Sequence, residues 1–271
     1  MRRIAGFLAS VSVLALVAFV GFNAVSSWLE PPAVSITTED GRPLAKAVQP
    51  LVPDWIGTLD NSGYDVSFPQ CKQTLPSAEV GFAVVGLNYG KPFSQNPCFA
   101  QQWTWALKHQ GVAVYINVAD PGKGSATRYG ARIASDTIKR LKKLGVASGT
   151  PVWLDIETAN TWTEPNRAMQ VINETMLQLT QAGHPVGIYA PPVHWFEITL
   201  NAVVQVPVWL ALGTYKTSAA GVADAKIACE QMTFGDALPS LVQFTTKVSG
   251  HFVDHNLMCG AHPAGLFAQT Q

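Results

Sequence analysis

The run Val152-Trp153-Leu154-Asp155-Ile156-Glu157 decides the fold. Val152 to Ile156 is apolar toward both sides until its last residues, the pattern of a parallel strand covered on each face. Helical patterns flank it. In Glu164–Ala182, Met169, Ile172, Met176 and Leu179 recur at spacings of three and four, one buried stripe. Thr163 suits its N-cap, Pro165 its first turn and Gly183 its left-handed stop. Ala126–Leu144, ended by Gly145, precedes it, and Phe99–Gln110 comes before that. Further candidate strands are Tyr64–Ser67, Phe82–Gly86, Val112–Val118, Val186–Ala190, Val208–Leu212 and Leu241–Phe244. Strands alternating with helices imply right-handed βαβ units and a parallel sheet. Seven or eight strands in about 200 residues close most economically as a single irregular, TIM-like (β/α) barrel, an α/β fold.

In such a barrel, chemistry sits where strands end and the following loops begin. Asp155 and Glu157 therefore carry the most weight. Residues i and i+2 of a strand face the same way, with Cα atoms about 6.6–7 Å apart, so both carboxyls project from one face at the mouth. Two close acids share protons unequally, one pKa rising and the other falling. A protonated acid beside an ionised one is what glycosidic bond cleavage requires. Trp153, Trp162, Tyr189, Trp195 and Trp209 fall near strand ends, positions from which rings stack on sugars. A D-x-E taken alone is more simply a loop cap and a surface ion pair. An apolar strand before it, with Asp65 and Asp254 at corresponding ends, makes it a candidate site. Asp65 has a second reading, as a cap of the loop that follows it.

Composition removes other classes. The 271 residues carry zero formal net charge, are 48% hydrophobic and only 13% charged, which excludes a disordered chain. Neutrality also denies the basic field that a nucleic-acid partner requires. The densest positive run, Lys139, Arg140, Lys142 and Lys143, reads as the solvated face of a helix. His251 and His255 have the spacing of a helical metal pair, but their segment is short and strand-like. On a strand the two rings stand about 13 Å apart, too far for one ion, so neither a metal nor any other cofactor is expected.

Ile4 to Phe22 contain no charge and follow Arg2-Arg3. Nineteen residues at about 1.5 Å each span roughly 28 Å, the thickness of a bilayer core. The length favours an uncleaved anchor, although Ala24-Val25-Ser26 offers a cleavage exit, and both outcomes export the chain. We therefore expect a signal or anchor at 1–26, an extracytoplasmic linker at 27–61, the barrel at 62–263 and a tail at 264–271. The domain would be a monomer held at the cell membrane, or secreted after cleavage. Cys71, Cys98, Cys229 and Cys259 lack the spacing of a zinc cluster and read as two disulfides in an oxidising compartment. Of three possible pairings, loop adjacency favours Cys71–Cys98 and Cys229–Cys259.

The order of these pieces resembles glycoside hydrolase family 25, the lysozymes or muramidases. The matching motifs are Asp65-Val66-Ser67, Leu154-Asp155-Ile156-Glu157, Gly187-Ile188-Tyr189, Pro207-Val208-Trp209-Leu210-Ala211, Val242-Gln243-Phe244 and Val253-Asp254-His255-Asn256. The resemblance spans nearly the whole domain, in a form like divergent, exported actinobacterial sequences. It implies an irregular (β/α) barrel that hydrolyses β-1,4 bonds of peptidoglycan. Glu157 would be the general acid, and Asp155 would stabilise positive charge or orient an acetamido group. Asp65 and Asp254 would shape the field and hold sugar hydroxyls. Tyr189, Trp209, Trp162, Asn117 and Gln243 would line the substrate site. The chain departs from the family where Gly86-Leu87-Asn88-Tyr89-Gly90 replaces K-A-T-E-G and where Tyr115-Ile116-Asn117 replaces Y-H-F. Two other readings follow from the residues: a barrel that binds glycan without turnover, and a metal-dependent deacetylase or phosphodiesterase.

Overall fold

The computed structural model describes residues 61–76, 80–260 and 265–270. The expected signal and all of the linker but Asn61 lie outside the described residues, and the Asn61 carbonyl accepts from the Met258 N–H at 2.8 Å. Among those described, no helix is long and apolar enough to cross a membrane.

The elements run β1 (Ser62–Val66), a one-turn 3-10 helix (Phe68–Gln70), β2 (Phe82–Gly86), α1 (Phe99–Ala106), β3 (Gly111–Asn117), α2 (Ala126–Lys143) and β4 (Val152–Asp155). They continue with α3 (Pro165–Gln181), β5 (Val186–Ala190), α4 (Pro192–Thr199), β6 (Val208–Tyr215), α5 (Ser218–Gln231), β7 (Leu241–Val248), β8 (His251–Met258) and β9 (Ala268–Gln269). Strands β1 to β7 pair in parallel, each with the next. β8 lies antiparallel to both β7 and β1 and closes the ring. The result is the α/β barrel expected, with an antiparallel eighth strand in place of a last βα unit.

Strand alternation sorts the side chains into two cores. Outward-facing Val85, Val114, Ile116, Leu154, Ile188, Leu210 and Val242 pack under the helices. Inward-facing Phe82, Val84, Ala113, Trp153, Trp209, Leu241 and Met258 fill the barrel. Trp153 fits because a glycine faces it. A Cβ on Gly187 would meet the Trp153 ring at 2.3 Å, far inside contact distance. Gly187→Ala is therefore expected to cost at least the 1–3 kcal/mol or so typical of overpacking, read as a lower urea midpoint at unchanged m-value.

Several boundaries differ from expectation. Of residues 264–271, expected as a tail, 265–270 are described. Leu266 and Phe267 plug the barrel floor, with Phe267 stacked on Phe82 at 4.2 Å between ring centroids. β9 then pairs with Gly111 and Val112 on the lower edge of β3, below the point where β4 begins. Thr163 is not the cap of α3. Glu164 takes the N-cap position, and the Thr163 hydroxyl donates instead to Asp120 Oδ2 at 2.8 Å. Helices α4 and α5 carry no strong apolar period in their sequence. α4 opens Pro191-Pro192, and α5 is built mostly of small residues around Gly221. Gly221 lets the Phe244 ring approach where a Cβ would stand 2.1 Å away.

Both disulfides pair as adjacency suggested, with Cα atoms 5.5 Å apart in Cys71–Cys98 and 5.3 Å in Cys229–Cys259. His251 and His255 lie on strand β8. The His255 ring stacks on Phe244 at 5.0 Å, and its Nε2 pairs with the Thr246 hydroxyl at 2.8 Å. Among the described residues no group of three or more His, Cys, Asp or Glu is placed to hold a metal ion.

Candidate active site

A cavity of about 480 Å³ opens at the C-terminal ends of the parallel strands. Register explains what lines it. Asn117 pairs with Asp155, Asp155 with Tyr189, and Tyr189 with Trp209 across β3 to β6. Gln243 pairs with Asn256, and Asp65 faces Asp254 across the antiparallel join of β1 and β8. Asp65, Asp155, Glu157 and Asp254 all line this one cavity, with Asn117, Tyr115, Tyr189, Trp209 and Gln243. Asp155 ends β4 and Glu157 lies two residues beyond it, and both face the cavity at the open end.

Asp65 is held from below by an ordered network. The Tyr189 hydroxyl donates to Gln243 Oε1 at 2.8 Å, which turns the Gln243 amide nitrogen onto Asp65 Oδ2, also at 2.8 Å. The Trp209 indole N–H donates to Asn256 Oδ1 at 2.8 Å, which likewise turns the Asn256 nitrogen onto Asp65 Oδ2 at 2.8 Å. A phenol and an indole thereby fix both amides with donors toward the carboxyl. Two such bonds favour the ionised form. They do not prevail here. Burial and the Asp254 charge outweigh them, with a further push from Glu157, and the Asp65 pKa stands at about 8. Asp254 is also raised, chiefly by burial, although Oδ1 accepts from the Thr245 hydroxyl at 2.8 Å.

The Asp155–Glu157 pair is governed by the same physics. Burial, the Glu157 charge, the hydrogen bond to Glu157 and the Asp65 charge push Asp155 well above the usual carboxylate range. Asn117 Nδ2 makes a close hydrogen bond to Asp155 Oδ2. Asp155 Oδ1 is buried and takes no fixed N–H or O–H donor. Burial also raises Glu157, while His194 and the bond from Asp155 pull it down and Asp254 pushes it up.

Not every expected residue meets the cavity. Trp162 lies outside its lining. Its indole N–H donates to the Glu157 backbone carbonyl at 2.8 Å, fixing the turn that carries the acid. It lines a smaller neighbouring cavity of about 240 Å³, which shares Asn160 with the larger one. Trp153 and Trp195 cannot stack on a sugar. Trp153 is sealed inside the barrel, and Trp195 is fully buried against Phe234 in the outer core. Trp209 is only 1% exposed, so it serves as cavity floor, not as an open platform. Asn117, Tyr189, Gln243 and Asp254 do line the cavity.

Other contributors were not foreseen. Tyr115 and Asn256 lie two residues from Asn117 and Asp254, so the alternation that groups Asp155 with Glu157 would have found them. His194 gave no such signal, because it arrives from helix α4. Its Nδ1 is buried without a hydrogen-bond partner, 3.9 Å from Glu157 Oε1.

A (β/α) barrel with four carboxyls of raised pKa at its C-terminal mouth belongs to the glycoside-hydrolase class of such barrels. The family model described as lysozyme-like protein 1 matches residues 86–224, more than half of the 271-residue chain, and the chain belongs to that family. The matched stretch includes Asp155 and Glu157 but neither Asp65 nor Asp254. Similar solved structures include a muramidase from Trichobolus zukalii, 17% identical with a TM-score of 0.54, covering 73% of this chain and 93% of that one. A family 25 glycosyl hydrolase from Bacillus anthracis is 18% identical, with a TM-score of 0.53 and coverage of 74% and 90%. The bacterial lysozyme from Streptomyces coelicolor is 16% identical, with a TM-score of 0.52 and coverage of 75% and 94%. At these identities the likeness is one of fold. No curated protein sequence matches the chain.

Proposed function

We propose that this protein is an exported muramidase-type glycoside hydrolase that cuts β-1,4 bonds in the glycan strands of peptidoglycan. The observation that carries this reading is the placing of Asp155 and Glu157, both with raised pKa, among four carboxyls on the wall of one open cavity. Muramidases and lysozymes among the similar folds support the choice of substrate.

In this reading Glu157, the less buried of the two, is the general acid. The pair holds one proton, which Glu157 passes to the glycosidic oxygen as the C–O bond breaks. Asp155 is left ionised and offsets the positive charge at the anomeric carbon, or holds a substrate acetamido N–H. Water adds to that carbon, and its second proton restores the pair. Asp254 supplies negative charge beside the site and accepts from sugar hydroxyls, while Asp65, largely protonated at neutral pH, can donate to one. The apolar N-terminal run carries the domain out of the cytoplasm, as an uncleaved membrane anchor or a cleaved signal, and the domain acts as a monomer.

The test is digestion of purified peptidoglycan by the full-length protein in detergent, followed by borohydride reduction and mass spectrometry. Reduced muramic acid at the new ends is the expected product. Reduced glucosamine ends would assign the other bond. Glycan binding without new ends would overturn turnover and leave a binding barrel.

A further inference from the structure

We propose that Phe68 and Tyr89 form a sugar-stacking subsite at one edge of the cavity, specific for a β-linked pyranose whose 3-hydroxyl is unsubstituted, of the N-acetylglucosamine type. This deepens the glycosidase reading and rests on it. Phe68 lines the cavity, and Tyr89 continues the aromatic surface outward. Their ring centroids are 4.1 Å apart with planes 35° from parallel, and Tyr89 is 50% exposed. A single exposed aromatic residue needs no explanation. Here two rings form one continuous strip that begins inside the cavity and ends in solvent, which is the shape a polymeric substrate follows.

The strip is also braced on both sides, so little freedom is lost when a ligand settles on it. Phe68 sits in the 3-10 turn, where Ser67 N–H donates to Gln70 Oε1 at 2.9 Å. Tyr89 N–H donates to the Ser94 hydroxyl at 2.9 Å, and the Arg140 guanidinium binds the Phe93 carbonyl at 3.0 Å and that of Ser94. Between the rings' segments, Gly90 turns at φ +70°, with its would-be Cβ 3.3 Å from the Phe68 ring. The Cys71–Cys98 disulfide joins the residue after the 3-10 turn to the end of the loop that carries Tyr89.

Ligand chemistry follows from the rings. A β-linked gluco-configured sugar holds its substituents equatorially and presents C–H bonds to the negative face of an aromatic ring. A lactyl-peptide on the 3-oxygen adds bulk at the rim of that face, so the strip favours the sugar that lacks it.

The experiment uses chitotetraose as the probe, titrated calorimetrically into the Glu157→Gln protein with and without a second change at Tyr89. Kinetics on peptidoglycan are measured with Glu157 intact. Tyr89→Ala is expected to weaken tetramer binding about tenfold. It should raise KM on peptidoglycan similarly and hold kcat within about twofold, since a subsite remote from the reacting bond contributes uniform binding. Tyr89→Phe should match the parent, because the ring and not the hydroxyl makes the contact. Equal tetramer binding by the Tyr89→Ala protein and its parent would overturn the subsite. If peptidoglycan yields no new ends while binding still depends on Tyr89, the catalytic reading falls and the subsite stands. Normal digestion with no dependence on Tyr89 sinks the subsite alone.

Discussion

Glu157→Gln is expected to lower kcat on peptidoglycan by about 10²- to 10⁴-fold, the usual contribution of a positioned acid. The amide keeps the shape of the carboxyl but has no acidic proton to give. Folding should not suffer. Burial disfavours the Glu157 charge, and the Asp254 charge adds to that. Loss of one negative charge there relieves Asp155, whose pKa the Glu157 charge now raises. The variant's thermal midpoint should therefore equal or exceed that of the parent at neutral pH. In the parent, activity should fall as pH rises through the raised titration of the pair, because the proton the pair holds is the one delivered to the leaving oxygen. A Glu157→Gln protein with kcat within tenfold of the parent would remove Glu157 from the role of acid.

The barrel was legible because its strands are short, apolar on both faces and punctuated by glycine and helical stripes. Val186–Ala190 and Phe82–Gly86 match their observed bounds. What escaped was structure without a period. α4 begins with Pro192 and shows no polar face, and its exposed Val193 and Phe196 look like core residues in a linear string. Residues Leu266 and Phe267 lie beyond a stretch of small residues, so nothing nearby marks them as the barrel's floor. The acid pair was legible for a local reason, the two-residue strand period. Aromatic roles were not, because burial is a tertiary property. Trp153, Trp195 and Trp209 all stand at strand ends or just beyond. Yet one fills the barrel, one the outer core and one the cavity floor. Gln243 entered through resemblance alone. Its use became physical only when Tyr189 was seen to fix its amide toward Asp65.

Asp65 makes the folded protein less stable as pH rises, and Asp65→Asn should remove that loss. An unfolded Asp titrates near 3.9. In the folded barrel Asp65 titrates at about 8, because burial and Asp254 oppose its charge. Between about pH 4 and 8 the native state therefore holds more protons at this site than the unfolded chain, so the free energy of unfolding declines across that window and levels off above it. Asp155, Glu157 and Asp254 are raised as well and act with the same sign, which places maximum stability on the acid side of neutrality. In the variant, the Asn carbonyl oxygen takes the place of Oδ2 and still accepts from Gln243 and Asn256, while no charge develops. Urea unfolding at pH 4, 6 and 8 should show parent and variant close together at pH 4 and the variant clearly more stable at pH 8. A parent that gains stability between pH 5 and 8, or a variant weakened equally at all three, would mean that Asp65 rests ionised. The two amide donors would then outweigh its burial and the charge of Asp254.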